Sequence, residues 1–72
     1  MPRKPNLEIR QRIIDALKSN GGELSTLEVA EKVGISRAKA MYYLNAMAAE
    51  DVVERKWKGR AILVWRLRDE RE

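Results

Sequence analysis

The sequence predicts an α+β domain in which three helices precede a β-hairpin and a short strand lies between the first and second helices. Apolar residues recur at helical spacing up to about residue 50. Beyond that point, β-branched and aromatic residues form two short runs on either side of a glycine-containing turn, as is typical of strands. With 72 residues, the chain has room for one small domain and no second core.

The first helix is predicted to run from an N-cap at Asn6 to about Ser19, and Gly21-Gly22 ends it. Its apolar residues recur three and four positions apart and line one face, which consists of Ile9, Ile13, Ala16 and Leu17. Residues 1–6 precede this helix and are expected to form a flexible N-terminus.

The second helix is predicted to follow a short extended link at Glu23-Leu24. Ser25 and Glu28 have the spacing of a capping box, with a hydroxyl N-cap and a glutamate at the third helical position. The residues predicted to face inward are Leu27, Ala30 and Val33. Gly34 supplies the left-handed residue that closes a short helix.

Ile35 anchors the turn after the second helix, and Ser36 is a good N-cap for a third helix that extends to about Glu50. The buried stripe predicted for this helix consists of Ala40, Leu44 and Met47. Two short helices joined by a tight glycine-containing turn, with a serine cap on the second, indicate a helix-turn-helix unit.

The β-hairpin is predicted to pair residues 52–57 with residues 61–67 across the turn Lys58-Gly59-Arg60. A three-residue loop would place six residues on the face that covers the helices, namely Val53, Trp57, Ala61, Leu63, Trp65 and Leu67. A two-residue loop would regroup the apolar residues of the two strands. Trp57 and Trp65 are expected to belong to the core, since the three-residue loop puts both on the face that covers the helices.

Either loop leaves some apolar strand surface uncovered, and with three loop residues this surface consists of Val52, Ile62 and Val64. Leu7 and Ile14 from the first helix are one candidate cover. A contact between two copies in a homodimer is the other, and the sequence leaves both open. Residues 68–72 form a charged tail that is expected to be disordered.

The composition argues against an enzyme. Cysteine and histidine are both absent, which removes disulfides, the usual zinc sites, nucleophilic thiols and imidazole acid–base catalysis. With no glycine-rich phosphate loop and no metal-ligand cluster, no catalytic residue, cofactor or metal ion is expected. The chain start lacks the apolar stretch of a secretory signal and no segment is long enough to cross a bilayer, so a cytoplasmic location is expected.

The net charge of +4 is unevenly distributed along the chain. Residues 52–68 contain six Lys or Arg and one Glu, whereas residues 21–36 contain one Lys and three Glu. Positive charge localised in this way is what a polyanion-binding surface requires.

The order of helix, short strand, helix, glycine turn, helix and basic hairpin resembles the winged helix-turn-helix superfamily over residues 7–67. Residues 27–37 look like the common regulator pattern, in which an alanine-containing helix precedes a glycine turn and a serine-capped recognition helix. Residues 42–44 and 64–67 are similar to small fimbrial-operon regulators of the FaeA-like kind. Asp51 stands where many family members have glycine. The resemblance implies sequence-specific binding of double-stranded DNA by a transcriptional regulator.

In such a protein the third helix would enter the major groove. A turn of about 100° per residue puts one set of residues opposite Leu44, namely Ala38, Lys39, Tyr42, Asn45 and Ala49. Alanine allows close approach, asparagine can bond adenine bidentately, and tyrosine can contact a phosphate or a thymine methyl. Ser36, Arg37 and Lys39 lie in or before the first turn, where a helix N-terminus attracts phosphate. The alternative is an ordinary solvated helix face.

Four basic residues crowd the hairpin, namely Arg55, Lys56, Lys58 and Arg60. The resemblance implies that residues 55–60, at and beside the hairpin tip, lie along the DNA backbone or in the minor groove. The alternative is that these charges only protect an edge strand from aggregation.

A protein-interaction module within a larger complex is the alternative function, since one fold serves many functions. The basic hairpin and the Ser-Arg-Ala-Lys start of the third helix favour DNA.

Overall fold

The computed structural model describes residues 7–68, which form three helices and a three-stranded sheet and confirm the predicted α+β class. The elements are, in order, α1 (Leu7–Ser19), β1 (Glu23–Ser25), α2 (Thr26–Val33), α3 (Arg37–Ala49), β2 (Val53–Lys58) and β3 (Ile62–Leu67). The expected Asn6 cap, the flexible segment 1–6 and residues 69–72 of the expected tail lie outside the described residues. None of the described helices is both long enough and apolar enough to span a bilayer.

The predicted capping box at the start of α2 is present. The Ser25 hydroxyl accepts the backbone N–H of Glu28 at 3.2 Å, and the Glu28 carboxylate accepts the backbone N–H of Ser25 at 2.9 Å. Gly34 ends the helix with φ 85° and donates its N–H to the Ala30 carbonyl at 2.8 Å. Only glycine adopts this conformation without a Cβ penalty, so the turn into α3 depends on it.

Helix α3 begins and ends as the sequence predicts. The Ser36 hydroxyl caps its first turn by accepting the backbone N–H of Lys39 at 3.1 Å. At the other end Asp51 adopts φ 64°, and its N–H donates to the Ala48 carbonyl at 3.0 Å. An aspartate therefore holds this left-handed position, a conformation that Asp and Asn tolerate better than other residues with side chains.

The sheet has the order β1-β3-β2 with antiparallel pairing throughout, so β3 is its central strand. Lys58 pairs with Ile62, which leaves a three-residue turn, 59–61, one residue later than the predicted Lys58-Gly59-Arg60. The strands shift accordingly from the predicted 52–57 and 61–67. This turn also has three residues, so the strand residues that a three-residue loop places on the helix side of the sheet do lie there. They are Val53, Trp57, Leu63, Trp65 and Leu67, whereas Ala61 falls in the turn.

The core lies between one face of the sheet and the three helices. Its largest fully buried side chains are Trp65, Ile13, Leu17, Leu44, Met47, Val29 and Val53. Trp65 also donates its indole N–H to the Thr26 hydroxyl at 2.8 Å, so its one polar atom is satisfied. The predicted buried stripe of α3 is confirmed, and Tyr43 extends it.

Besides Ala61, which falls in the exposed turn, two residues that were predicted to face the core are exposed. Leu27 lies on the surface because Val29, Ala30 and Val33 set the buried face of α2, and Leu27 is about 110° away from its centre. Trp57 is exposed because the helices cover only the first part of β2. Val53 is buried there, whereas the four residues of β2 from Arg55 to Lys58 are exposed.

The face of the sheet turned away from the helices, the outer face, carries Ile62 and Val64. Val64 is buried because it lies on the central strand between Ser25 and Lys56, whereas Ile62 is exposed. The expected cover by Leu7 is wrong, since that side chain is 73% exposed, and Ile14 packs against the helix-side core. A homodimer contact on the outer face stays a prediction.

An ion pair ties α1 to the end of α3. Arg10 donates to both carboxylate oxygens of Glu50, at 2.5 and 3.2 Å. This hydrogen bonding to Arg10 holds the pKa of Glu50 below its usual range. A second pair joins Arg68 to Asp51 at 3.7 Å, and the Arg68 backbone N–H donates to the Val52 carbonyl.

We expect Leu44→Ala to destabilise the domain strongly, because the side chain is fully buried where α3 meets the core. The cavity should cost about 2–5 kcal/mol, which approaches the whole stability of so small a domain. Thermal unfolding followed by circular dichroism measures the loss. Leu7→Ala removes the same atoms from an exposed site and should leave the melting temperature nearly unchanged. Equal effects of the two substitutions would contradict the assigned buried face.

The Arg10–Glu50 pair should make stability depend on pH. The pKa of Glu50 is lower in the folded state than in the unfolded chain. The ion pair therefore stabilises the fold above the ordinary glutamate pKa, and this stabilisation is lost as the pH falls through the lowered pKa. The melting temperature of the parent should therefore exceed that of Glu50→Gln near neutral pH. The gap should close as the pH falls below about 4. A gap that persists at about pH 2 would show that the ionised pair is not its cause.

Candidate nucleic-acid interface

One face of α3 points away from the core along its whole length. Ala38, Tyr42 and Asn45 lie on this face, opposite the buried Leu44, and all three are exposed. Their chemistry suits a base edge: Asn45 offers a donor and an acceptor side by side, and Ala38 permits close approach.

The Tyr42 ring rests edge-on against the ring of Tyr43, with centroids 5.4 Å apart and planes at 87°. Tyr43 is buried, so it gives Tyr42 a fixed support, while Tyr42 remains 65% exposed. The sequence reasoning did not identify Tyr43 as this support. The signal was available in the helical phase, because Tyr43 lies about 40° from Met47 at the edge of the buried stripe.

The N-terminus of α3 presents unneutralised positive charge. Ser36, Arg37 and Lys39 are exposed here, and neither Arg37 nor Lys39 forms an ion pair with any residue from 7 to 68. The Ser36 hydroxyl caps the helix by accepting the Lys39 N–H, and its own O–H can still donate to a ligand oxygen. The helix dipole adds to the two side-chain charges at this end.

The wing, defined as residues 53–67, divides its cations between two faces of the sheet. Lys56 and Lys58 lie on the outer face, and their ammonium nitrogens are 3.9 and 3.3 Å from the carboxylate of Glu23 on β1. Arg55 lies on the helix side, with its guanidinium 5.9 Å from the centroid of the Trp65 ring. Arg60, in the turn, forms no ion pair with a described residue.

A groove of about 730 Å³ separates the start of α3 from the wing. Its apolar lining comes mainly from Leu27, Met41, Ile62 and Leu63, and Arg37 and Ala38 border it on the α3 side. The sequence reasoning assigned Leu27 to the core and did not identify Met41 or Ile62 as parts of this concave surface. These side chains come together only because of where the wing lies relative to α3, and no pattern within a single segment of the sequence indicates that position.

The ten residues expected to bind DNA therefore fall into two groups. Six lie on or before α3, and four lie on the wing, where Lys56 and Lys58 are on the outer face, Arg55 is on the helix side and Arg60 is in the turn. Residues 7–68 contain no cluster of three or more His, Cys, Asp or Glu side chains that could hold a metal ion.

The family assignment agrees with this geometry. The model of the winged helix-turn-helix DNA-binding family matches residues 7–54, which is two thirds of the chain. The protein belongs to this family. The finer similarity to FaeA-like regulators stays a prediction, and a search of the curated proteins finds no match.

Solved structures share the fold. The Zalpha domain of Carassius auratus PKZ, crystallised in complex with Z-DNA, aligns with a TM-score of 0.74 at 23% identity, covering 85% of this chain and 94% of that one. A PKZ Zalpha domain in complex with ds(CG)6 aligns with a TM-score of 0.78 at 21% identity, covering 86% and 97%. At these identities the likeness establishes the winged-helix architecture of three helices and a β-hairpin wing.

Glu23→Gln should strengthen binding to duplex DNA, because the Glu23 carboxylate competes with phosphate for Lys56 and Lys58. Exposed ion pairs contribute about 0.2–1 kcal/mol, so we expect roughly two- to fivefold tighter binding at low salt. The salt dependence should also steepen as more cations contact phosphate. Fluorescence anisotropy with a labelled duplex measures both quantities.

Asp15→Asn is the matched control, because it removes the same charge from α1 and leaves the wing untouched. If both variants gain affinity equally, the effect is one of net charge, and the pairing on the outer face is irrelevant to binding.

Proposed function

We propose that this domain binds double-stranded DNA sequence-specifically as a small transcriptional regulator. In this proposal α3 enters the major groove and the wing follows the backbone or the minor groove. Family membership supports DNA binding in general. The role as a transcriptional regulator, the placement of α3 and the wing in the grooves, and the ten contact residues are what we propose beyond it.

The observation that carries the proposal is the placement, near an uncharged exposed face, of cations that form no ion pair with a described residue. Arg37 and Lys39 lie in the first turn of α3, and Arg60 lies in the wing turn next to Ala61, which lines the groove. The uncharged Tyr42 and Asn45 follow Lys39 along the exposed face of α3. Cations at the margins suit phosphates, and amide or phenol groups in the middle suit base edges. A domain that only docks proteins needs no such order of charges.

Two forms of duplex need to be distinguished in the test. The Zalpha neighbours were solved with Z-DNA and ds(CG)6, so an alternating CG duplex under conditions that favour the left-handed form is one arm. A right-handed mixed-sequence duplex is the other arm. The proposal expects tighter binding to a selected right-handed site than to either the CG duplex or a shuffled sequence.

The first experiment is an anisotropy titration of the whole chain with these duplexes at two salt concentrations. Binding that falls steeply with salt for every duplex, together with a preference for the selected site, supports the proposal. Equal affinity for all sequences would contradict sequence specificity. No binding to any duplex at low salt would contradict the DNA function and favour the protein-interaction alternative.

Asn45→Ala and Lys39→Ala should separate base reading from positioning. Asn45→Ala should cost about 1–3 kcal/mol with the selected site and leave the shuffled duplex nearly unaffected. Lys39→Ala should weaken binding to both duplexes and reduce the salt slope by about one. Both side chains are exposed, so neither change should lower the melting temperature much. A constant ratio of the two affinities in Asn45→Ala would remove α3 as a base reader.

A further inference from the structure

Trp57 is an exposed indole in the middle of the basic wing. It belongs to β2, pairs with Leu63 on β3 and shares the helix side of the sheet with Trp65. The two tryptophans nevertheless differ completely in environment, since Trp57 is 62% exposed and Trp65 is fully buried. Their indole nitrogens differ as well. Trp65 donates to Thr26, whereas the Trp57 N–H has no hydrogen-bond partner among residues 7–68.

The stability of the fold does not account for Trp57. The helices stop covering β2 after its first residues, so the indole adds little to the core. Protection of the edge strand does not account for it either, because Arg55, Lys56 and Lys58 already supply the charges that deter strand pairing. A large apolar side chain left in solvent at such a position instead indicates contact with a partner.

The register places this indole beside the groove between α3 and the wing. Leu63 lines that groove together with Met41 and Ala38. Residues paired across an antiparallel ladder have Cβ atoms about 4.5–5.5 Å apart on the same face. Trp57, paired with Leu63 on the same face of the sheet, therefore lies next to a groove-lining residue, although Trp57 itself does not line the groove.

The charges around Trp57 identify the partner as a polyanion. Arg55 shares the helix side of the sheet with Trp57, and Arg60 lies in the adjoining turn without an ion pair to a described residue. Lys56 and Lys58 lie on the outer face beside Glu23, and the neighbouring Glu54 is paired with Arg66. A second copy of this chain would suit the site less well, because a two-fold contact through Trp57 would bring two positive wings together.

We propose that Trp57 is a DNA-contact residue of the wing. Its ring packs against a deoxyribose or an exposed base edge where the wing meets the duplex, and its indole N–H donates to a phosphate oxygen or a groove acceptor. This inference rests on the proposed DNA-binding function and adds to it a contact that is neither on α3 nor cationic.

The two tryptophans make the test specific, because only Trp57 is open to an aqueous quencher. Acrylamide quenching is measured for the whole chain with and without a mixed-sequence duplex at low salt. Bound DNA should shield Trp57 and reduce the quenching constant. Trp57→Phe retains only buried Trp65, so its quenching should be low and unaffected by DNA.

Affinity gives a second readout that does not depend on fluorescence. Trp57→Ala should weaken duplex binding by about fivefold or more, in line with the loss of one aromatic contact to nucleic acid. Trp57→Phe should fall between the parent and Trp57→Ala, since it keeps a ring and loses the N–H donor. Leu7→Ala is the matched control, as an exposed apolar residue on α1 whose removal should change nothing.

The outcomes separate this inference from the proposed function. Parent protein that binds DNA without shielding Trp57, and variants that bind equally well, would overturn the inference and leave DNA binding intact. Parent protein that binds no duplex would overturn both. Trp57 would instead be a contact between two copies of the chain if two results are found together. Raising the protein concentration without DNA would shield Trp57 from the quencher, and sedimentation would show a dimer that Trp57→Ala abolishes. If Trp57→Ala lowers the melting temperature, the Trp57→Phe readouts decide.

Discussion

The hydrogen bond from Trp65 to Thr26 joins the two halves of this molecule, and the candidate interface depends on it. Trp65 lies on β3, the central strand, so it is fixed by ladders on both sides. Thr26 is the first residue of α2 and follows the cap residue Ser25, which ends β1. The buried indole therefore fixes the start of the helix-turn-helix unit against the sheet that carries the wing. Thr26 also lines the groove between α3 and the wing, so this attachment holds one wall of the groove against the sheet.

The comparison of Trp57 with Trp65 shows what the sequence can and cannot predict about this fold. Strand periodicity with a three-residue loop correctly places both residues on the helix side of the sheet, whereas the two-residue loop that the sequence also allowed would not. How far the helices extend over that side is a tertiary property, and it leaves Trp57 in solvent. Leu27 is a second residue whose burial was predicted wrongly. Residues at i, i+3 and i+6 shift gradually around a helix, and in the packed α2 Val29 is buried instead of Leu27.

Within the candidate interface, features set by residues close in sequence could be predicted, whereas contacts between residues far apart in sequence could not. The exposed face of α3 can be read from helical phase once Leu44 is taken as buried, and the Ser36 cap from local chemistry. Counting charges identified the basic wing but could not show which of its cations are already paired. Glu23 and Lys58 are 35 residues apart and meet only because β1 and β2 flank the same strand. No pattern within either segment indicates that contact.

Ion pairing also decides which charges a polyanion would meet. The carboxylates at the end of α3 are both occupied, Glu50 by Arg10 and Asp51 by Arg68, so cations from other elements offset the acidic end of the helix. At the other end of α3 the side chains of Arg37 and Lys39 have no such partner within residues 7–68, so the helix is positive where its dipole is positive. Binding a phosphate there breaks no existing ion pair, whereas recruiting Lys56 or Lys58 means separating it from Glu23. The α3 end should thus supply the first contacts with DNA, and the outer-face lysines should contribute only where the duplex offers more than that carboxylate does.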